Sequence, residues 1–241
     1  MKKKILGIIG IRSGSKGLKN KNVKMLNGKP LISWIIDSAK NSKYINRVLV
    51  STDSHRYEKI AKKFNAEVPF IRPKKISKDN SNEIEFIKHT LDYLKKKEKY
   101  IPDIVVRMLA TVPFQKSDDI DKLINLILRN KYESASIISK AKQHPKKSLK
   151  IVGNKKKYLV SFITGKGVDV GKKLNRQSLN EKDEVYFRSN VLACKVKVIK
   201  KYNSMTNNKV GYIIIPNSNF IDIDTIEDFN YAKYLAKNKL I

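Results

Sequence analysis

The sequence predicts an α/β fold of the three-layer type, in which helices cover both faces of a mostly parallel sheet. Short apolar runs typical of buried strands alternate along the chain with segments whose apolar residues recur at helical spacing. Small and polar residues follow several of these runs, as expected where the carboxyl ends of parallel strands carry ligand-binding loops. A chain of 241 residues is long enough for one such domain.

The first half of the chain supplies the strands and helices that justify this prediction. Ile5–Ile11 is a continuous apolar run, Pro30 suits the first turn of a helix, and Asp53 or Ser54 can cap the helix that follows the second strand. The predicted elements are, in order, strand Ile5–Ile11, a helix from Pro30, strand Arg47–Ser51, helix Tyr57–Phe64, strand Glu67–Ile71, helix Ser81–Lys97 and strand Ile104–Leu109.

The second half continues the alternation after one interruption. Regular elements are expected at Ser117–Leu128 (helix), Ser134–Ser139 (strand), Val185–Val198, Val210–Ile215 and Ile226–Lys237 (helix). The lysine-rich stretch of about residues 140–183 has short apolar pieces and turn signals at Gly153 and Gly165. We interpret it as a hairpin-bearing arm inserted into a single domain that spans residues 1–241.

Composition restricts the function classes. The single cysteine, Cys194, excludes an internal disulfide, and no apolar run has the roughly 18 residues of a membrane span. The apolar run after the basic N-terminus is too short for a signal peptide, so we expect a cytoplasmic protein without a membrane partner.

The formal net charge of +30 favours polyanionic partners, nucleic acid among them. The excess is mostly lysine spread along a chain that is also rich in Asn and Ile, a composition that A/T-rich codons explain. There is no arginine-rich tail and no aromatic RNA-binding motif. We therefore do not expect nucleic acid to be the main partner.

The loop after the first strand combines small and cationic residues. Its small residues allow close approach of backbone N–H groups to a ligand, and Arg12, Lys16, Lys19 and Lys21 add positive charge. This combination suits the phosphates of a nucleotide, although the residue order is not that of a Walker A motif. The alternative is a solvated, flexible basic loop.

An acidic pair lies near the other end of the chain. Asp222 and Asp224 alternate with Ile221 and Ile223 in a strand pattern, so their carboxylates would share one face. Two such carboxylates can hold Mg²⁺. The alternative is helix capping, which would explain Asp224 or Thr225 without requiring Asp222.

The motifs and their order resemble those of the CMP-sialic acid synthetases (acylneuraminate cytidylyltransferases) along almost the whole chain. The loop reads Arg12-x-x-Ser15-Lys16-Gly17 and then Lys21-Asn22, similar to the family's A-R-x-x-S-K-G…K-N. Further similar motifs are Leu26-x-Gly28-Lys29-Pro30-Leu31, Val50-Ser51-Thr52-Asp53, Arg72-Pro73, Asp79-x-Ser81, His144-Pro145, Arg176-Gln177 and Ile221-Asp222-Ile223-Asp224-Thr225-x-Glu227-Asp228.

The resemblance implies a Rossmann-like nucleotidyltransferase that couples CTP to a nonulosonic acid, with release of pyrophosphate and with Mg²⁺ as cofactor. The anomeric hydroxyl of the sugar would attack the α-phosphorus directly. The implied nucleotide-binding residues are Arg12, Ser15, Lys16, Lys21, Asn22, Asp53, Arg72 and Ser81. The implied metal ligands are Asp222 and Asp224, and these two, Arg12 and Lys21 are the implied catalytic residues.

The sugar half of the site is implied in the same way, and with it a homodimer that exchanges the arm of about residues 140–183. Arg176 and Arg188 would bind the sugar's carboxylate, for which a guanidinium fork is suited. The implied sugar-binding residues are Leu109, Thr111, His144, Lys147, Arg176, Gln177, Arg188 and Asn190.

Two departures from the family's pattern fall in this sugar half. Leu109–Gln115 stands where the family usually has P-T-S-P-L-R, often preceded by Gln, and Val191 replaces a small residue. Our hypothesis is that the sugar is a nonulosonic acid of the legionaminic or pseudaminic type rather than N-acetylneuraminic acid. Alternatives are a nucleotidyltransferase of this fold acting on a Kdo-like acid or a sugar phosphate, and a catalytically decayed or nucleic-acid-binding protein.

Overall fold

A computed structural model describes residues 3–14, 17–154, 156–165 and 184–240. Its strands are β1 (Ile5–Gly10), β2 (Met25–Leu26), β3 (Lys29–Pro30), β4 (Arg47–Ser51), β5 (Ile104–Leu109), β6 (Ser134–Lys140), β7 (Leu149–Val152), β8 (Tyr158–Ser161), β9 (Tyr186–Lys195) and β10 (Val210–Ile214). Its helices are α1 (Leu31–Lys40), α2 (His55–Lys63), α3 (Glu83–Glu98), α4 (Ser117–Leu128), α5 (Val196–Tyr202) and α6 (Ile226–Lys237). None of the helices in these ranges combines the length and the apolar character needed to cross a bilayer.

A six-stranded sheet in the order β10-β6-β9-β5-β1-β4 forms the centre of the fold. β1 lies between β4 and β5 and is parallel to both, and β10 is parallel to β6. β9 runs antiparallel to β5, with Arg107 opposite Leu192. The prediction of a mostly parallel sheet is confirmed.

Helices cover both faces of this sheet, as the alternating pattern predicts. On one face, apolar residues of α1, α2 and α4 form a buried cluster with Ile9, Val50 and Val106 of the sheet. On the other face, α3 and α5 bury Leu6, Ile8 and Val105. Gly10 at the end of β1 lets Phe86 of α3 approach closely, because a Cβ at Gly10 would lie 2.5 Å from the ring.

A third apolar cluster fixes the position of the acidic segment. Ile221 and Ile223 are buried with Phe229 of α6 and with Leu18 and Leu26 from the region after β1. The alternation that the sequence shows at Ile221–Asp224 is therefore real as a burial pattern. This packing brings segments from near the two ends of the chain together.

The chain divides into two compact units, one of Met1–Ile138 with Arg188–Ile241 and the other of Ser139–Phe187. In the second unit β7 and β8 form an antiparallel hairpin around Gly153, whose φ of 94° is in the region that favours glycine. The hairpin was expected from the turn signals. The single-domain boundary and the dimer-forming function of this part remain predictions.

Three sequence predictions need correction. Glu67–Ile71 is not a strand, since it makes only isolated bridges, Leu49 with Glu67 and Thr52 with Ile71. The regular segment expected at Val185–Val198 ends as a strand at Lys195 and continues as α5. Ile221–Asp224 belongs to no strand. Its backbone contacts the loop after β5 through a bond from the Ile223 N–H to the Thr111 carbonyl.

Candidate active site

A cleft of about 560 Å³ opens at the carboxyl ends of β1 and β5, beside the N-terminus of α3. This is the edge of the sheet at which the sequence predicts ligand-binding loops. Eight of the residues predicted to belong to the site line the cleft: Arg12, Lys21, Asn22, Arg72, Ser81, Leu109, Thr111 and Asp224.

The cationic wall of the cleft is built on Arg12 and Arg72. Arg12 is half-buried and pairs with Asp79 at 2.5 Å. Arg72 is buried and donates to the Ile11 carbonyl at 2.7 Å and to the Ser77 hydroxyl at 2.9 Å. Burial lowers the pKa of the Arg72 guanidinium, nearby Arg12 lowers it further, and Asp53 opposes the shift. The hydrogen bonds hold this cation in a fixed position without neutralising it.

Lys21 connects the basic loop to the acidic segment. Its ammonium lies 2.7 Å from a carboxylate oxygen of Asp224, and the lysine side chain is only 12% exposed, whereas that of Asp224 is 69% exposed. Gly17 permits this approach, because a Cβ there would lie 2.6 Å from the Asp224 carbonyl oxygen. The next residue, Asn22, is buried and donates to the Arg12 carbonyl at 3.1 Å. A cation and a carboxylate are thus fixed side by side at the cleft wall.

Asp222 is the half-buried member of the acidic pair. Asn190 donates to its Oδ2 at 2.6 Å, while its buried Oδ1 has no hydrogen-bond partner among the described residues. Burial raises the pKa of the Asp222 carboxyl, and Asp224 adds to the rise. Thr111, Lys21 and Asn190 oppose it. An orphaned carboxylate oxygen beside a second carboxylate is an open acceptor site for a proton or a cation.

Helix capping does not account for the acidic pair. α6 begins after Thr225, whose hydroxyl accepts from the Asp228 N–H, and the Asp228 carboxylate accepts from the Thr225 N–H in return. Asp228 also accepts from the Asp224 N–H. The capping box therefore consists of Thr225 and Asp228, and the carboxylates of Asp222 and Asp224 take no part in it.

The acidic pair fits a magnesium site of the kind that substrate phosphates complete. Mg²⁺ is commonly bound by one or two carboxylates together with phosphate oxygens and water. Asp222 and Asp224 supply two carboxylates, and the open Oδ1 of Asp222 is a hard oxygen donor. Within the described ranges no cluster of three or more His, Cys, Asp or Glu forms a metal site by itself.

The model of one protein family, described as Cytidylyltransferase, matches residues 6–241. The chain belongs to the cytidylyltransferase family. It is thus a nucleotidyltransferase, and the family resemblance and enzyme class predicted from the motifs are confirmed.

Two relatives match this cytidylyltransferase over nearly their whole length. "Post-translational flagellin modification protein B" of Campylobacter coli is 29% identical over 98% of this chain and 96% of its own. "Pseudaminic acid cytidylyltransferase" of Campylobacter jejuni is 26% identical over 97% of both chains. A solved CMP:2-keto-3-deoxy-manno-octonic acid synthetase with CTP superposes with a TM-score of 0.69, at 15% identity over 98% of this chain and 99% of that one. The superposition supports the predicted fold.

The remaining residues implied by the resemblance do not line the cleft or are not described. In this cytidylyltransferase the Asp53 carboxylate accepts from the Ser13 N–H at 2.7 Å and from its hydroxyl at 2.8 Å, and so braces the start of the basic loop. Arg188 is exposed, and Asn190 reaches the site through Asp222. Ser15, Lys16, Arg176 and Gln177 lie outside the described residues.

His144 and Lys147 belong to the second compact unit. His144 is the cap of a short 3₁₀ turn over Pro145–Lys147, and its Nδ1 accepts from the Lys146 N–H at 3.1 Å. This local bond explains the His-Pro pair structurally. The predicted contact of both residues with a sugar is a separate question that remains a prediction.

Two candidate functional residues were not predicted from the sequence. Glu83, at the start of α3, lines the cleft, and its carboxylate pairs with Arg107 of β5 at 3.1 Å. Arg107 interrupts the apolar run Ile104–Leu109. A cation within a run that predicts a buried strand is the signal that could have identified this pair.

Proposed function

We propose that this cytidylyltransferase couples CTP to a nonulosonic acid in a Mg²⁺-dependent reaction that yields a CMP-sugar and pyrophosphate. The observation that carries the proposal is one cleft lined by Arg12, Arg72, Lys21 and Asp224. Asp222 lies close enough to Asp224 and Lys21 to interact with both. The full-length relative named as a pseudaminic acid cytidylyltransferase supports the choice of sugar class.

The cations of the cleft would bind the triphosphate. Arg72 is fixed by two hydrogen bonds, so its charge is preorganised, whereas Arg12 and Lys21 now pair with carboxylates that phosphates can replace. Asn22 and Ser81 line the same cleft and would contact the nucleotide, and Ser15 and Lys16 would extend the phosphate-binding loop. Asp53 would act through the loop that it braces rather than by contact with the base.

Asp222 and Asp224 would hold the metal ion. Bound Mg²⁺ would neutralise charge on the transferring phosphate. Asp222 offers a buried, unpartnered oxygen with a raised pKa, so it can also accept the proton of the attacking anomeric hydroxyl. Lys21, whose ammonium lies beside Asp224, would stabilise the negative charge that grows on the phosphate oxygens.

The acceptor would occupy the side of the cleft next to Leu109, Thr111 and Asn190. Leu109 presents an apolar surface there, and Asn190 is engaged with Asp222. His144, Lys147, Arg176, Gln177 and Arg188 are the further proposed sugar contacts. An apolar side chain at position 109 supports a deoxygenated nonulosonic acid, such as the legionaminic or pseudaminic type, over N-acetylneuraminic acid.

The test is pyrophosphate release by the purified protein with CTP and Mg²⁺ and a panel of acids: pseudaminic, legionaminic, N-acetylneuraminic and Kdo. We expect turnover with at least one nonulosonic acid, none without Mg²⁺, and little with ATP, GTP or UTP. Turnover with Kdo alone would assign the enzyme to another acceptor class. No CTP-dependent release with any acid would refute the proposed reaction.

We also propose that the protein is a homodimer formed through its second compact unit. The β7–β8 hairpin and the turn after it expose apolar side chains that a soluble surface seldom leaves uncovered, among them Ile151 at 69%, Phe162 at 64% and Tyr158 at 60%. Ile151 lies opposite Leu159, which is also exposed, so both strands contribute to one apolar surface. A second copy of the chain would cover it.

Light scattering after size exclusion tests the dimer. The unaltered chain should have twice the mass of one chain, and Ile151→Lys combined with Leu159→Lys should give monomers, because charged side chains cannot be buried without partners. Ile101→Lys places lysine at a position that is 51% exposed in the first unit and should leave the dimer intact. A monomeric unaltered protein at assay concentration would contradict the proposal.

A further inference from the structure

Arg107 is a buried cation in a central strand. Its side chain is 3% exposed, and β5 lies between β1 and β9, with Ile8 and Leu192 opposite Arg107. Its Nε and Nη1 are buried and have no hydrogen-bond partner among the described residues. Burial lowers the pKa of the guanidinium. A cation is tolerated in such a place only when a nearby anion compensates for its desolvation.

The compensating anion is Glu83, whose carboxylate lies 3.1 Å from Nη2 of Arg107. Arg107 and Leu109 are two residues apart on β5 and so point to the same face of the sheet. This face carries α3, since Phe86 packs against Gly10 at the end of the neighbouring strand. Arg107 therefore lies one step deeper than Leu109, which lines the cleft, and beneath the first turn of α3.

Apart from its ion pair with Arg107, Glu83 takes no part in the capping box of α3. The N-terminus of α3 is capped by Asn82, whose side chain accepts from the helix, and by Glu85, whose side chain accepts from the Asn82 N–H. Glu83 lines the cleft and is 47% exposed, so its carboxylate is accessible to a ligand.

Electrostatics restricts what this carboxylate can bind. A free anion in a cleft built for a triphosphate would repel the phosphates. Arg107 neutralises Glu83 from behind, and Asp222 further stabilises this cation while Arg188 opposes it. The pair thus presents oxygen acceptors of nearly zero net charge. Such a group can still accept a hydrogen bond from an N–H donor, and it repels phosphates less than an unpaired carboxylate would.

We propose that Glu83 is a substrate-binding residue that accepts a hydrogen bond from an amino or amide N–H of a substrate, and that Arg107 is the positioning residue that fixes and neutralises it. The inference rests on the proposed function for its two N–H sources. These are the exocyclic amino group of cytosine, which carboxylates accept from in other contexts, and the amide of an N-acylated sugar acid.

Glu83→Gln tests the acceptor with little change of shape. The amide oxygen would stay with Arg107 and turn an NH₂ group toward the substrate N–H, so two donors would face each other. We expect KM for one substrate to rise about ten-fold, the loss of one charge-assisted hydrogen bond, while kcat changes little. The melting temperature should fall, because the buried Arg107 keeps an acceptor but loses the charge that compensates for its desolvation. Glu85→Gln is the control, since it lies on the same helix outside the cleft and glutamine can also form a capping box.

Arg107→Met tests positioning. Methionine fills the buried space without a charge, and Glu83 then loses its anchor and its neutralising partner. We expect the same KM to rise as in Glu83→Gln, partial rescue by Arg107→Lys, and a double variant no worse than the single ones, because both act through one contact. A purely structural pair would lower the melting temperature without this selective change in KM.

KM values and CTP calorimetry together show which N–H group is the donor. They also distinguish failure of this inference from failure of the proposed function. If the donor is the cytosine amino group, Glu83→Gln weakens CTP binding by calorimetry and reduces discrimination against UTP; if it is the sugar amide, only the KM for the sugar rises. Absence of turnover in the unaltered protein would refute the proposed function, and CTP calorimetry would then decide on Glu83. The inference is overturned if neither KM nor CTP affinity differs from those of Glu85→Gln.

Discussion

Lys21→Ala is expected to reduce pyrophosphate release from CTP by about a hundred- to a thousand-fold, the usual effect of losing one preorganised charge-stabilising donor. The Lys21 side chain is 12% exposed and its ammonium is held 2.7 Å from Asp224. A cation from solvent or a flexible lysine elsewhere would therefore occupy this position at a greater cost in free energy than Lys21 does. The loss should appear in kcat, because the charge that Lys21 stabilises grows as the phosphoryl bond breaks.

The same variant should barely change stability. The partner carboxylate of Asp224 is 69% exposed and becomes solvated when Lys21 is removed, so the pair contributes about 1 kcal/mol or less. Lys24→Ala is the matched control: this lysine follows the same 3₁₀ turn, lies outside the cleft and places its ammonium 5.3 Å from the Phe229 ring. Equal turnover in Lys21→Ala and Lys24→Ala would mean that the phosphates bind elsewhere.

Local patterns in the sequence were enough for most elements of the fold. The bounds of β4 and α6 coincide with the predicted Arg47–Ser51 and Ile226–Lys237, because an apolar run and a capping signature act over a few residues. Glu67–Ile71 was predicted wrongly because its β pattern is satisfied by two isolated bridges to the edge strand, and pairing of that kind depends on tertiary packing.

The candidate site needed more than local patterns. Lys21 and Asp224 are separated by 203 residues, and nothing in the spacing of either segment indicates that their side chains meet. The motif resemblance brought them into one site, and the geometry added the reason, which is the small residue Gly17 against the Asp224 backbone. Arg107 was overlooked because a single arginine does not break the hydrophobic pattern of a buried strand.

Substitution of Asp222 or Asp224 is the second change that we expect to reduce turnover strongly. Asp222→Asn should lose turnover by at least about a hundred-fold, since the amide cannot accept a proton from the attacking hydroxyl and is a weaker ligand for Mg²⁺. Asp224→Asn should also lose turnover. The exposed carboxylate of Asp224 has no buried oxygen for proton transfer, so its loss should act through metal binding. The Mg²⁺ concentration needed for turnover should therefore rise more in this variant than in Asp222→Asn. Pyrophosphate release over a series of Mg²⁺ concentrations measures both variants, and normal rates would mean that the metal lies elsewhere.

Asp222→Asn should lower turnover but increase the stability of the fold, an effect that we expect for this aspartate alone. Burial raises the pKa of its carboxyl, so the folded protein binds this proton more tightly than the unfolded chain does. Above both pKa values the charged group therefore opposes folding, and below both values it does not. In chelator, Asp222→Asn should melt at a higher temperature than the unaltered protein at pH 7, and the difference should shrink as the pH falls through the raised pKa.

Asn190 can still donate to the amide oxygen of Asp222→Asn, so the hydrogen bond at 2.6 Å need not be lost. A variant that is more stable and inactive would show that the desolvated carboxylate is retained for catalysis at the expense of stability; equal or lower melting temperatures at pH 7 would contradict this.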